Sequence, residues 1–221
     1  MTEAAATPPT DSELMAATRR GCRDSFGQLV DRHKDRLVAY LTRLAGSRER
    51  AEDLAQEAFL RLYQQAGRYD ERGKLQGLLY SIATNLLRSE ERRLRRWHLL
   101  APFLGQPSPA NGFHPEPAPS TRVLQRELER EMAAALAALP LRYRVPVVLF
   151  EIEGWTLAAI AAHLEVQEGT VKSRLHRGRQ RLKQKLAPYW NEDAGARHAD
   201  QPHSPAAHDG PAPRREPATP A

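Results

Sequence analysis

The chain is predicted to be all-α, with two small helical domains joined by a Pro-rich linker, the C-terminal one a helix-turn-helix. Three observations lead there. Apolar residues recur at offsets of three and four over most of the length, and no segment alternates as a strand does. Between Ala101 and Ser120, Pro102, Pro107, Pro109, Pro115, Pro117 and Pro119 remove backbone donors and interrupt the helical pattern. Finally, Gly169 to Leu182, GTVKSRLHRGRQRL, separates into three faces when wound at helical period.

In chain order, residues 1–10 are small and Pro-containing and read as a flexible lead. The first domain spans 11–98. Its helical pattern runs through Phe26, Leu29, Val30, Leu37, Tyr40, Leu41 and Leu44, stops at Gly46, and restarts after Ser47, a good N-cap. Ala51, Leu54, Ala55, Ala58, Phe59 and Leu62 form the core stripe of the next helix, and Lys74 to Trp97 reads as a long third one. The linker occupies 99–121. The second domain spans 122–190 and begins with an amphipathic helix carrying Leu124, Leu128, Met132, Leu136 and Leu139, ended by Pro140. A helix from about Arg142 to Glu153 follows, tolerating Pro146 only in its first turn, and Gly154 closes it. Residues 191–221 contain no large apolar side chain and read as a disordered tail, and its His198, His203 and His208 fit no metal-binding face.

The C-terminal pattern has the spacing of a helix-turn-helix. Thr156 caps a short helix with Leu157, Ile160, Ala161 and Leu164 on one face, and Glu165 to Gln167 allow a tight turn. In the second helix Val171, Leu175, Gly178 and Leu182 make the buried stripe. Ser173, His176, Arg177 and Gln180 lie opposite, flanked by Lys172 with Arg179 and by Arg174 with Arg181. No acidic residue interrupts Val171 to Leu186. A polar edge between cationic rails suits the major groove, where phosphates border a floor of base edges, although a solvated basic helix has the same composition.

Composition points the same way. The 221 residues carry a net charge of +6, which favours a polyanionic partner. A lone cysteine, Cys22, excludes an internal disulfide framework and a thiolate metal cage and suits a reducing compartment. No stretch has the length and apolarity of a membrane span or an export signal, so the expectation is a cytoplasmic protein with no membrane insertion. No nucleophile-base pair, Gly-rich phosphate loop or metal motif is present; the chain is expected to be no enzyme and to need no cofactor.

Two segments carry a resemblance to a known family. LPLRYRVPVVLFEIEGWTLAAIAAHLEVQEGTVKSRLHRGRQRL is similar to the promoter-reading C-terminal domain of extracytoplasmic-function (ECF) sigma factors, small sigma subunits of bacterial RNA polymerase. RAEDLAQEAFLRLY, with LLYSIATNLLRSEERRLRR downstream, is similar to their N-terminal domain. The resemblance extends over roughly Asp11 to Leu186. It implies that core RNA polymerase and promoter DNA are partners, and it admits an anti-sigma factor as a third.

The resemblance also implies a division of labour. The acidic and amide face Glu52, Asp53, Gln56 and Glu57, which by charge alone is equally a solvated helix face, would dock a basic coiled coil of the polymerase. The segment from Ala66 through the following helix would capture the minus-ten element, with Arg68, Tyr69, Tyr80, Asn85, Arg88 and Arg92 as contacts; Tyr80 fits the core equally well. The helix bearing Lys172, Ser173, Arg174, His176, Arg177 and Arg181 would read the minus-thirty-five element. Leu75, Leu78, Ala159 and Glu165 depart from the family pattern, and Glu165 stands where a turn glycine is usual, which predicts a left-handed residue there. A helix-turn-helix regulator acting without polymerase would account for Thr156 to Leu186 but not for the acidic face or the Tyr and Arg cluster upstream.

Overall fold

The computed structural model describes residues 8–68, 75–100 and 123–197. The lead up to residue 7, most of the linker, and the tail beyond residue 197 lie outside them. Within residues 1–186, which form one compact unit, the described residues are helical and include no strand. The elements are α1 Asp11–Arg19, α2 Arg23–Ala45, α3 Arg48–Gln64, α4 Leu75–Leu100, α5 Val123–Ala137, α6 Leu141–Val147, α7 Leu157–Leu164 and α8 Glu168–Arg197.

Local chemistry fixes most of the boundaries. Thr10 and Glu13 form a reciprocal capping box that starts α1; the Glu13 carboxylate accepts the Thr10 amide at 2.7 Å. This helix was not separated from α2 in the sequence reading, although the Thr10–Glu13 spacing and Gly21 carry its signal. Gly46, at φ 74°, ends α2, and the Ser47 hydroxyl accepts the Arg50 amide at 3.3 Å to begin α3, as the sequence suggests. Helices α2, α3 and α4 enclose a core in which Leu29, Leu37, Tyr40, Leu41, Leu44, Ala51, Ala58, Leu62, Leu79, Ala83 and Leu87 are buried. Ala55 and Phe59 complete the expected α3 stripe, while Leu54 is only partly covered. In α5 the expected stripe is shorter than its pattern: Leu136 is buried, but Met132 is exposed.

Two expectations for the second half need correction. Pro146 does not lie in the first turn of its helix; it sits inside α6, one turn further on. Its missing N–H and its ring interrupt the α ladder, and the chain continues as a π turn over Val148–Ile152, with the Glu153 amide donating to the Val148 carbonyl at 3.1 Å. The second correction is to the tail, because α8 continues to Arg197 and so passes Asn191. Extending an existing helix adds a hydrogen bond for each residue ordered and incurs no nucleation penalty, so apolar anchors are not required there.

The helix-turn-helix forms as its spacing indicates. The Thr156 hydroxyl accepts the Ala159 amide at 3.2 Å, and Glu165 takes the left-handed conformation at φ 54°, ψ 45°. A side chain in that region costs about 1 to 2 kcal/mol relative to glycine. Val171, Leu175 and Leu186 are buried along α8. Gly178 permits a close approach between helices, since a Cβ there would lie 2.7 Å from Val147 Cγ2 and 3.5 Å from the Tyr143 carbonyl.

Arg144 ties the two halves together. It is 8% exposed, and its guanidinium donates to the Leu139 carbonyl at 2.7 Å, to the Ala137 carbonyl, and to the Leu44 carbonyl at the end of α2. Burial lowers its pKa, against a smaller opposing influence from Glu91.

The Gly178 contact gives a direct test. In an open helix Gly→Ala gains about 1 kcal/mol, but overpacking costs about 1 to 3 kcal/mol, so Gly178→Ala is expected to lower the thermal midpoint. Combining it with Val147→Ala should destabilise by less than the sum of the single changes, a coupling measurable in a double-mutant cycle. Strict additivity would contradict the contact.

Candidate nucleic-acid interface

The acidic face of α3 points away from the core. Asp53 and Gln56 are exposed, and Glu52 and Glu57 have side chains 46% and 43% exposed. Each of the two glutamates is held by an arginine one turn away, Arg48 Nε donating to Glu52 at 2.8 Å and Arg61 Nε to Glu57 at 2.7 Å. Such exposed pairs contribute only about 0.3 to 0.5 kcal/mol, so a basic partner can exchange with the arginines at little expense. Beside this face the large apolar side chains Leu60 and Tyr63 are exposed, and the Tyr63 ring lies 4.9 Å from that of Phe26. Both lie off the expected core stripe; the resemblance offers Tyr63, with Tyr69 and Tyr80, as a flat surface for the minus-ten element, whereas nothing in the sequence singles out Leu60.

Along α4 the expected minus-ten residues divide. Asn85 and Arg92 are exposed, and Arg88 is half-buried, donating to Asn85 Oδ1 at 3.4 Å. Burial lowers the Arg88 pKa, and nearby Arg174 and Arg92 add to that, while Tyr40 and Glu165 oppose it. Arg68 closes a 3-10 turn at Ala66–Arg68, and Tyr69 lies outside the described residues, as do Arg72 and Lys74. Tyr80 is a core residue, 1% exposed. It stacks on Tyr40 at 4.3 Å between centroids and on Trp155 at 5.6 Å, and its hydroxyl donates to Glu153 at 3.0 Å. Burial pushes the phenol up to about 12, with Glu153 acting in the same direction. Between the two sequence readings of Tyr80, packing places it in the core.

On α8, Lys172, Ser173, His176, Arg177, Gln180 and Arg181 are exposed together, and Arg174 is half-buried. The Ser173 hydroxyl donates to the Thr170 carbonyl at 2.9 Å. The rails are anchored from below. Arg179 pairs with Glu151 at 2.6 Å and lies 5.4 Å over the Phe150 ring, and Arg181 and Arg142 lie 5.3 and 4.9 Å over Tyr143. Arg177, and then Arg142, hold the Tyr143 phenol below its ordinary value.

Sequence reasoning missed the covered titratable groups between the halves, Arg144, Glu153 and His163. Periodicity identifies apolar stripes, whereas these depend on neighbours distant in sequence. The signal present was chemical: a carboxylate and an indole on either side of a turn glycine, Gly154, which adopts φ 69°. Among the described residues no helix is long and apolar enough to cross a membrane, and no group of three His, Cys, Asp or Glu could hold a metal ion.

Comparison with known proteins agrees with this layout. Residues 29–97 match the family model for sigma-70 region 2 and residues 129–182 that for sigma-70 region 4. The chain is 37% identical over 188 residues to the ECF RNA polymerase sigma factor SigE of Mycolicibacterium smegmatis, covering 84% of this chain and 71% of the relative. It is 35% identical over 176 residues to the ECF RNA polymerase sigma factor SigW of Bacillus subtilis, covering 76% and 92%. Among solved structures, the sigma factor RpoE of Bartonella quintana, in complex with the anti-sigma factor NepR, superimposes with a TM-score of 0.58 at 24% identity, over 73% of this chain and 96% of that one. CnrH, in complex with the cytosolic domain of CnrY, gives the same score and identity over 80% and 97%. These two show the shared helical fold. With both regions matched in order, a regulator consisting of a helix-turn-helix alone no longer accounts for the chain, which belongs to the ECF group of RNA polymerase sigma factors.

Proposed function

We propose that the chain docks core RNA polymerase with the acidic face of α3, engages the minus-ten element with α4, and reads the minus-thirty-five element with α8. The observation that carries this reading is the segregation of charge. On a protein of net charge +6, Glu52, Asp53, Gln56 and Glu57 form an acidic and amide patch, and the exposed side of α8 between Lys172 and Lys185 is cationic and polar throughout. The first suits a basic protein surface and the second suits phosphate. On α4, Asn85, Arg88 and Arg92 supply an amide and cations for a displaced strand, and Arg68 and Tyr69 lead into the same helix.

In this reading the protein has no catalytic group of its own, and bond formation belongs to the polymerase. It works in the cytoplasm, where its polymerase and DNA are. Sigma factors with this fold have been solved with anti-sigma factors, which makes such a partner reasonable for this chain as well.

Two experiments separate the surfaces. Asp53→Lys with Glu57→Lys should abolish binding to core polymerase while helical content, measured by circular dichroism, stays unchanged, because neither side chain belongs to the core. Wild-type polymerase affinity in a folded variant would move the docking face elsewhere. On α8, Lys172→Ala should weaken binding to every sequence and reduce the salt slope by about one, whereas Arg177→Ala should alter base preference, a bidentate base contact discriminating by about 1 to 3 kcal/mol. Equal losses on cognate and scrambled minus-thirty-five sites for both variants would remove the distinction.

A further inference from the structure

The cations flanking α8 are not equivalent. Among the described residues Lys172, Arg174 and Arg181 form no ion pair, whereas Arg179 is held by a carboxylate. Its Nε donates to Glu151 Oε1 at 2.6 Å, and its Nη2 lies 2.6 Å from the same oxygen. The guanidinium carbon also stands 5.4 Å from the centre of the Phe150 ring. Both partners come from the π turn Val148–Ile152, and two residues bring that turn against α8. Pro146 interrupts the α ladder and lets the turn form. Gly178, the neighbour of Arg179, has no side chain to hold α8 off Val147, just before the turn.

We propose that Glu151 is a positioning residue for DNA recognition: it competes with DNA phosphate for Arg179 and so weakens the grip of the Lys172–Arg179 flank. The Arg174–Arg181 flank is then the stronger backbone clamp. The proposal rests on the reading of α8 as the minus-thirty-five helix. Within that reading Glu151 acts through Arg179 and need not touch DNA itself.

Counterions explain the difference between the flanks. A phosphate contact gains from the cation it releases from DNA. Where a phosphate takes Arg179 from Glu151, the freed carboxylate recruits a cation in turn, and the two events nearly cancel. Arg181 undergoes no such exchange, because a ring and not an anion holds it: it lies 5.3 Å over Tyr143, which Arg142 also faces at 4.9 Å. The Arg179 and Glu151 side chains are 54% and 41% exposed, so the pair is open to competition and neither group belongs to the core. The consequence is a lower affinity for DNA of any sequence. Base preference is untouched, since Arg179 lies on a flank and not on the reading edge.

The test is a salt titration of promoter complexes formed by the full chain with core RNA polymerase, on cognate and scrambled minus-thirty-five sites. Glu151→Gln keeps the shape of the side chain and removes its charge. It should tighten binding to both sites and steepen the salt slope by about one, so that its advantage shrinks about three- to fourfold between about 50 and 200 mM salt. Arg179→Ala alone should cost less affinity than Lys172→Ala, and in the Arg179→Ala background Glu151→Gln should gain nothing. An unchanged slope in Glu151→Gln would overturn the proposal. So would an equal gain with and without Arg179, which would reduce Glu151 to plain repulsion of DNA. Failure of the α8 reading looks different: Lys172→Ala and Arg177→Ala would then leave every complex unchanged, and the proposal would fall with it.

Discussion

Arg144 carries a charge into a place where only 8% of the residue meets solvent, and backbone carbonyls make that position tenable. Helices α2 and α5 both end beside it, each leaving C-terminal carbonyls without intrahelical partners and with partial negative charge. The guanidinium satisfies Leu44 from the first, Ala137 from the second, and Leu139 in the turn just beyond it. A hydrogen bond to a charged group contributes about 1.5 to 3 kcal/mol, and a buried carbonyl left without a donor costs a comparable amount. The planar fork matters as much as the charge, because lysine could not reach separated acceptors in the same geometry. With that junction in place, α6 is seated against α2, the π turn follows, and Glu153 and Trp155 arrive over α4.

The two ends of the molecule use charge differently. On α3 the paired charges are exposed and one turn apart, and on α8 the exposed Arg179 pairs with the exposed Glu151 of the π turn, so these groups can exchange partners readily. At the junction Glu153 is desolvated, and removing its cations would leave a buried carboxylate unpaired. The exposed groups suit recognition, and the buried ones hold the junction between the halves.

Much of this was legible in the sequence because it depends on local rules. Gly46 followed by Ser47, the Thr156 cap, the α8 stripe and the left-handed Glu165 all follow from residue type and helical period. Pro146 misled because its effect depends on where the helix begins, which tertiary packing decides. Helix α8 extended past Asn191 because continuing a helix needs less than starting one. The roles of Arg144, Glu153 and His163 were not legible, since their partners lie across the fold, 100 positions away for Arg144 and Leu44. Tyr80 illustrates the boundary: aromatic chemistry allowed two roles, and only the stack between Tyr40 and Trp155 places it inside the core.

The central claim is that one chain confers promoter choice on polymerase through separate surfaces. Transcription by purified core RNA polymerase on a pool of genomic DNA fragments, with and without the full chain, tests it most directly. The account predicts new start sites that appear only with the chain and share two sequence blocks at fixed spacing, one for α4 and one for α8. Start sites unchanged by the chain, or the same sites occupied by the chain equally well in the absence of polymerase, would contradict it.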